Sequence, residues 1–222
     1  MISNNLTTTG YSIVGLKHSS ASNCVFTCNV GRCAVEIVPD WDGDSYWDAL
    51  CNCLVANNTN RTYGAVGIST LSTIRLRLTN VTIVDNVCDG GDAGGVSAPA
   101  ASSKISGNSD SVIMRNCIIW GNTVGGAAKN MTVNPKTKNY SNSCFSEAED
   151  FADAGNIAAD PVFLASRPYY FDPESPCYNA GVNLGWEKDG KDLGGNPRLF
   201  GKRVDMGCYE CQKGLGLLIF VK

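Results

Sequence analysis

Asn23-Cys-Val-Phe-Thr-Cys-Asn29 returns three times along the chain, as Asn52-Cys-Leu-Val-Ala-Asn-Asn58, Asn80-Val-Thr-Ile-Val-Asp-Asn86 and Asn116-Cys-Ile-Ile-Trp-Gly-Asn122. The opening Asn residues are 29, 28 and 36 positions apart. The second position is Cys24, Cys53, Val81 or Cys117, and the fourth is Phe26, Val55, Ile83 or Ile119, so both are apolar in every copy. The third and fifth positions admit Thr27, Ala56, Thr82 and Trp120. Alternation with a period of two marks a short strand with one buried face. A repeat of this length is too short for a unit that carries a crossover helix. It suits a coil of short strands and turns stacked on its neighbours.

Other strands of each coil are present in the sequence. Ala65-Val66-Gly67-Ile68 and Thr73-Ile-Arg-Leu-Arg-Leu78 precede the third copy, and Gly94-Gly95-Val96 and Ser111-Val-Ile-Met114 precede the fourth. The surplus of the longest coil falls in the Gly/Ala/Ser-rich stretch from Cys88 to Asp110, which reads as a surface loop. Asn at both ends of every copy has a physical use: its amide tolerates a left-handed corner and can bond the same amide one coil away. Asn23, Asn29, Asn52, Asn58, Asn80, Asn86, Asn116 and Asn122 are therefore expected to form stacked ladders.

Composition agrees with such a fold. The 222 residues include 24 Gly and 21 Asn, both poor helix formers, which argues against a helical protein. At 43% hydrophobic and 18% charged, the chain can build a core, and wholesale disorder is excluded. A net charge of −3 argues against nucleic acid as a partner. No apolar run reaches the roughly 20 residues of a transmembrane helix. Eleven Cys without a metal motif point to an oxidising compartment, and their odd number leaves at least one thiol unpaired within the chain. Met1 to Gly10 lack the pattern of a signal peptide, so the expectation is the C-terminal part of a longer secreted polypeptide.

The hydrophobic-x-x-Asn signature (Phe26/Asn29, Val55/Asn58, Ile83/Asn86, Ile119/Asn122), with Gly94-Gly95-Val96 between copies, resembles the repeats of right-handed parallel β-helices and of chlamydial polymorphic outer-membrane proteins. Four later segments resemble the C-terminal module of bacterial surface β-helix proteins of the choice-of-anchor Q type. They are Gly155-Asn-Ile-Ala-Ala-Asp-Pro-Val-Phe163, Ser175-Pro-Cys-Tyr-Asn-Ala-Gly181, Asp192-Leu-Gly-Gly-Asn-Pro-Arg198 and Val204-Asp-Met-Gly-Cys-Tyr-Glu210. Gly194 and Cys208 depart from that pattern, where an acidic residue and Ala are expected. The resemblance covers about residues 11 to 211 and implies an all-β, pectin-lyase-like solenoid over residues 1–150. A C-terminal capping segment would follow over residues 151–222, filled by Tyr169, Tyr170, Phe171, Trp186 and Phe200.

Chemistry-bearing residues are few. Asp40-Trp-Asp-Gly-Asp-Ser-Tyr-Trp-Asp48 places Asp40, Asp42, Asp44 and Asp48 at positions 1, 3, 5 and 9 of a calcium loop. Ser45 and Cys51 stand where such a loop wants Gly and a bidentate acid, so an exposed acidic turn remains the other reading. Trp41, Tyr46 and Trp47 beside these acids are candidates for stacking on sugar rings, or for packing onto the solenoid. Arg75, Arg77 and Arg115, facing Asp85, Asp89 and Asp92, would make a lyase-like groove if they share a face; otherwise they are solvated charges. Cys24, Cys53 and Cys117 read as small inward hydrophobes. Cys24–Cys53, Cys28–Cys33 and Cys144–Cys177 are the conceivable bridges, the last two as exposed ones, and no Cys/His spacing supports zinc. His18 is the only His, and no nucleophile or phosphate-loop motif occurs. The expectation is a secreted or surface-displayed, non-catalytic protein at the bacterial cell surface or outer membrane, contacting polysaccharide or host glycans. A carbohydrate-active lyase-like or epimerase-like enzyme and a plain spacer are the alternatives.

Overall fold

The computed structural model describes residues 1–7, 10–38, 47–68, 75–97, 112–132, 139–147 and 154–213. The chain winds as a parallel β-helix whose coils feed four sheets. The first sheet stacks Ile2–Ser3, Val25–Thr27, Leu54–Ala56, Thr82–Val84, Ile118–Trp120 and Cys144–Phe145. The second stacks Val30–Gly31, Thr59–Asn60, Val87–Cys88 and Thr123–Val124. The third holds Val14–Leu16, Val35–Ile37, Val66–Ile68 and Val96–Ser97. The fourth holds Ser20–Ser22, Trp47–Cys51, Arg75–Thr79, Val112–Arg115 and Tyr140–Ser141.

Register follows the repeats. Phe26 pairs with Val55, Val55 with Ile83, Ile83 with Ile119 and Ile119 with Phe145, in parallel. All five side chains are buried in one core with Val35, Val66 and Val96 of the third sheet and Leu50, Leu78 and Met114 of the fourth. Inside a solenoid each side chain touches its own kind above and below, so the repeat, rather than any one pair, sets the packing. Each coil enters the first sheet through a left-handed corner. Asn23, Asn52, Asn80, Asn116 and Asn142 hold φ of 56°, 53°, 53°, 55° and 48°. Asn accepts this region at low cost because its short amide bonds locally.

Residues 154–213 form no strand beyond isolated bridges, and one 3-10 turn at Trp186–Lys188. Ile157 bridges to Cys144 and so extends the first sheet. The remainder lies along that sheet's outer face. Phe171, Cys177, Met206, Cys208 and Cys211 pack on Leu54, Ala56, Val84 and Ile118. Strands such as Leu54–Ala56 and Thr82–Val84 are consequently buried on both faces. The approach is close: a Cβ on Gly207, which has φ of 86°, would lie 2.6 Å from Thr82 Oγ1 and 2.8 Å from the Ile118 side chain. The capping segment is thus chiefly a lateral cover. Of the aromatic residues expected to fill it, Phe171 is buried and Tyr169 and Tyr170 are half-buried, whereas Trp186 and Phe200 are exposed. The segment's interior holds charged residues, Glu187, Asp192, Arg198, Asp205 and Glu210, beside its apolar ones.

Candidate functional site

The closing Asn of each repeat forms a continuous, directional ladder. Asn29 donates its backbone N–H and its Nδ2–H to Asn58 Oδ1, at 3.0 and 2.9 Å. Asn58 does the same to Asn86 Oδ1, at 2.9 and 2.9 Å, and Asn86 to Asn122 Oδ1, at 3.1 and 2.9 Å. Two residues outside the four aligned copies end the row. Asn5 donates twice to Asn29 Oδ1, and Asn130 Oδ1 accepts twice from Asn122. The second proton of each inner Nδ2 goes to backbone carbonyls of its own and the preceding coil, as Asn86 bonds Val84 and Val55. Asn5 was legible as the partner of Ile2 in the same hydrophobic-x-x-Asn spacing. Asn130 was not, because it arrives from a hairpin in which Ala127–Ala128 folds back antiparallel on Thr123–Val124.

The opening row does different work. Asn52 Nδ2 donates to Asn23 Oδ1 at 2.7 Å, but this is the one such step among the described residues. Asn52 also reaches Lys191 O, Asn116 exchanges bonds with Val182, and Asn142 donates to Ala180 O. A left-handed corner points its amide outward, so this row fastens the C-terminal segment rather than stacking. Both polar atoms of Asn80's amide lack a partner among the described residues.

All eleven cysteines are free thiols. Those in the second repeat position donate to the carbonyl two residues back: Cys24 to Ser22, Cys53 to Cys51 and Cys117 to Arg115, at 3.3, 3.2 and 3.3 Å. Ser143 makes the same bond to Ser141. The thiol therefore closes the corner, and Cys24 and Cys53 are not bridged. Burial pushes the Cys53 and Cys117 thiols up to about 12, which keeps them protonated. Cys28 is exposed, while Cys33 is buried against Ser12 Oγ with its thiol likewise near 12. Cys144 and Cys177 are buried, not exposed as the sequence suggested.

Asp40, Asp42, Asp44, Trp41 and Tyr46 lie outside the described residues. Asp48 does not behave as a solvated ligand. It opens the inward parity of Trp47–Cys51, is buried, and accepts the Ser19 backbone N–H at 2.7 Å. Burial raises its carboxyl pKa, against the Ser19 bond and the nearby His18. Among the described residues no group of His, Cys, Asp or Glu is arranged to hold a metal ion.

Trp47 faces outward on the fourth sheet, and the Arg77 guanidinium lies 5.0 Å from its ring centroid. Arg115, on the next strand, donates to Met114 O and Asn139 O. The acids expected opposite these arginines are elsewhere. Asp85 sits at the corner after the first sheet, its carboxyl pKa raised by burial with Tyr169 opposing the shift, while Asp89 follows the second sheet. Parallel register sends each residue to its own sheet, so Arg77 and Asp85 cannot share a groove.

The C-terminal segment contains a cluster of buried charged residues. Asp192, Asp205 and Glu210 surround Arg198, and all four are buried. Arg198 Nη2 donates to the carbonyls of Asp205 and Gly207, and its Nε lies 3.9 Å from Glu210 Oε2. Asp205 accepts the N–H groups of Asn179 and Cys211, both at 2.6 Å. Glu210 accepts from Phe200 and Asp205, and Asp192 from Asn196 and Glu210. Burial lifts Asp205 to about 6 and Glu210 to about 8, with the neighbouring acids adding to it and Arg198 opposing it. These are the carboxyls most shifted toward neutrality, yet both oxygens of each are engaged by backbone. They tie loops together.

Comparison of the chain with family models, curated proteins and solved structures finds no match. Among the described residues no helix is long and apolar enough to cross a membrane.

Proposed function

We propose that the protein is a surface-displayed, non-catalytic β-helix that contacts glycans through the outer face of its fourth sheet. The observation that carries this reading is the Trp47–Arg77 stack. The first sheet's outer face is covered by the C-terminal segment, whereas the fourth presents an aromatic ring with a guanidinium over it. An indole face stacks on the apolar face of a pyranose, and a guanidinium pairs with carboxylate or sulfate in two-point geometry. The resemblance of the repeat and C-terminal motifs to those of bacterial surface proteins of the choice-of-anchor Q type, and of chlamydial polymorphic outer-membrane proteins, is the ground for display outside the cell. A non-catalytic role is supported by the placement of the shifted carboxyls: Asp205 and Glu210 are walled in and bonded to backbone. The test is binding of the chain to arrayed uronate-containing and sulfated glycans, wild type against Trp47→Ala and Arg77→Ala. At unchanged thermal midpoint, each variant is expected to lose at least about tenfold in affinity, since one good contact is worth about 1.4 kcal/mol. Equal binding by all three proteins removes this face from the reading.

A further inference from the structure

A cavity of about 170 Å3 lies in the C-terminal segment, between the turn around Arg167 and the run that ends at Lys213. These two cations are exposed and stand at its mouth, while Phe171 and Cys211 are buried and form its floor. The walls are fixed by the chain's own bonds. Leu164 N–H donates to Tyr170 O at 2.7 Å, and Tyr170 N–H to Arg167 O at 3.1 Å, which closes the turn. The Tyr170 ring is held on both faces, by Tyr209 with centroids 3.9 Å apart and by the Arg167 guanidinium 3.6 Å from its centroid. Its hydroxyl sits against Gly194, where a Cβ would lie 2.5 Å away. A side chain at Gly194, such as the acid that the pattern of this segment calls for, would push the ring out and Arg167 with it.

The lining offers one site for charge, one acceptor, one donor and an apolar slot. Lys213 is paired with Asp172 Oδ1 at 2.7 Å, whereas Arg167 forms no ion pair with a described carboxylate. A guanidinium laid flat on a ring offers its N–H edge sideways, the geometry that takes a carboxylate by two bonds. Gln212 directs Nε2 to Pro197 O and Glu210 O, which leaves Oε1 as an acceptor. Asn196 commits one Nδ2 proton to Asp192 Oδ2 and keeps the other. Leu164 and Phe171 supply the apolar slot. An apolar cavity of about 150 Å3 admits benzene, so this one holds an aliphatic side chain and a carboxylate and little more. Both faces of Tyr170 are taken, which removes the half-exposed ring on which a sugar would stack. We propose that the cavity captures the free C-terminal residue of a peptide that ends in an aliphatic side chain. Its carboxylate binds Arg167, its side chain packs on Leu164 and Phe171, its N–H donates to Gln212 Oε1, and the preceding carbonyl accepts from Asn196 Nδ2. This activity is separate from glycan contact and uses no residue of the fourth sheet.

The isotope-labelled full chain is titrated with acetyl-alanyl-leucine while the side-chain amide signals of Gln212 and Asn196 are followed. Both signals are expected to shift saturably. Three further probes each remove one element: the C-terminal amide of the same dipeptide lacks the carboxylate, acetyl-alanyl-alanine lacks the aliphatic side chain, and methyl glucuronoside carries its acid on a sugar. Each should bind at least about tenfold more weakly. Arg167→Gln should weaken the leucine peptide by about tenfold or more at unchanged thermal midpoint. Gly194→Ala should weaken it as well, by displacing Tyr170. Arg167 is exposed, so its variant carries the test if Gly194→Ala folds poorly. Equal binding of the amidated peptide, equal binding of the glucuronoside, no effect of Arg167→Gln, or no saturable shift at either amide overturns the proposal.

Discussion

Polar groups are buried in two regions of this molecule, and the two are organised on opposite lines. In the coils the buried polar groups are chiefly neutral, with Asp48 the one buried carboxylate among the described coil residues, and in the closing row each Asn passes two hydrogen bonds to the next, from Asn5 to Asn130. In the C-terminal segment they are charges, three carboxylates about one guanidinium, bonded mostly to backbone N–H groups of nearby loops. The difference follows from repetition. A stack of identical positions cannot hold like charges about 4.8 Å apart in a dry interior, but an amide is donor and acceptor at once and complements its own copy. A segment without strands has the reverse difficulty. Its loose backbone N–H groups need acceptors, and one carboxylate serves several at a time. Neutral ladders therefore mark where the fold repeats, and buried charge marks where it stops.

The largest effect is expected where the repeat itself is broken. Ile83→Asn removes a fully buried side chain at the centre of the first sheet and introduces an amide with no partner. A loss of about 4 kcal/mol or more is expected in equilibrium denaturation. Asn86→Ala should cost about 3 kcal/mol, because it removes the acceptor of both Asn58 donors and the Nδ2 donor to Asn122 Oδ1 in a dry core. A loss below roughly 1 kcal/mol in either variant would mean that the coils do not share one core.

Next comes the charge cluster. Arg198→Met leaves Asp192, Asp205 and Glu210 buried without their cation, and removing one partner of a buried pair costs about 3–5 kcal/mol. If the coils and the cover are held by separate means, the variant should free the cover while the ladder persists. Limited proteolysis then cuts within residues 154–213 and spares residues 10–132. Simultaneous loss of both regions would break the contrast drawn here.

A smaller effect has a sign that distinguishes the two regions. Asp205 and Glu210 are raised to about 6 and about 8 when folded. The folded chain therefore binds more protons than the unfolded one between about pH 4 and 8, and stability falls as pH rises through that window. Below it the groups are protonated in both states, and the penalty is absent. The cover should loosen steadily from pH 5 to pH 8. Hydrogen exchange at the amides of Asn179 and Cys211 reports it, while the neutral ladder amides Asn58 and Asn86 should show no such trend. A cover that tightens toward pH 8 would contradict the burial of these acids.

Much of the coil architecture is legible in the sequence because stacking forces it to recur. Phe26, Val55, Ile83 and Ile119 share a parity, and the Asn spacing is repeated. Asn142, the fifth corner, is harder to see, since Ser143 replaces the apolar second position and no Asn closes its copy. The lateral cover left a signal that alternation alone hides: Leu54-Val55-Ala56, Thr82-Ile83-Val84 and Ile118-Ile119-Trp120 are apolar or nearly so on both faces, the mark of a doubly buried strand. The charge cluster left none of that kind. Asp192, Arg198, Asp205 and Glu210 stand in recognisable segments, but no period relates them, and their contacts depend on how the loops fold. The face proposed to contact glycans lies between these cases. Trp47 is an evident candidate, whereas Arg77 becomes its neighbour only through strand register.

The smallest expected effect separates the two Asn rows. Asn80 and Asn86 open and close the same strand region, are equally buried, and look equivalent in the repeat. Asn86 Oδ1 receives two bonds, and its backbone N–H and Nδ2 give four contacts between them. Asn80 contributes a backbone φ of 53° and an amide whose polar atoms have no described partner. Gly adopts that φ without strain, so Asn80→Gly keeps the corner and removes two unsatisfied buried atoms. Against this stand a small void and the flexibility Gly adds to the unfolded chain. The opposing effects leave a net change within about 1 kcal/mol, where Asn80→Val, which resists the left-handed region, should cost clearly more. Chemical denaturation of the three proteins decides it: if Asn80→Gly is as damaging as Asn86→Ala, the opening row carries hydrogen bonds of its own, and the division of labour between the rows is wrong.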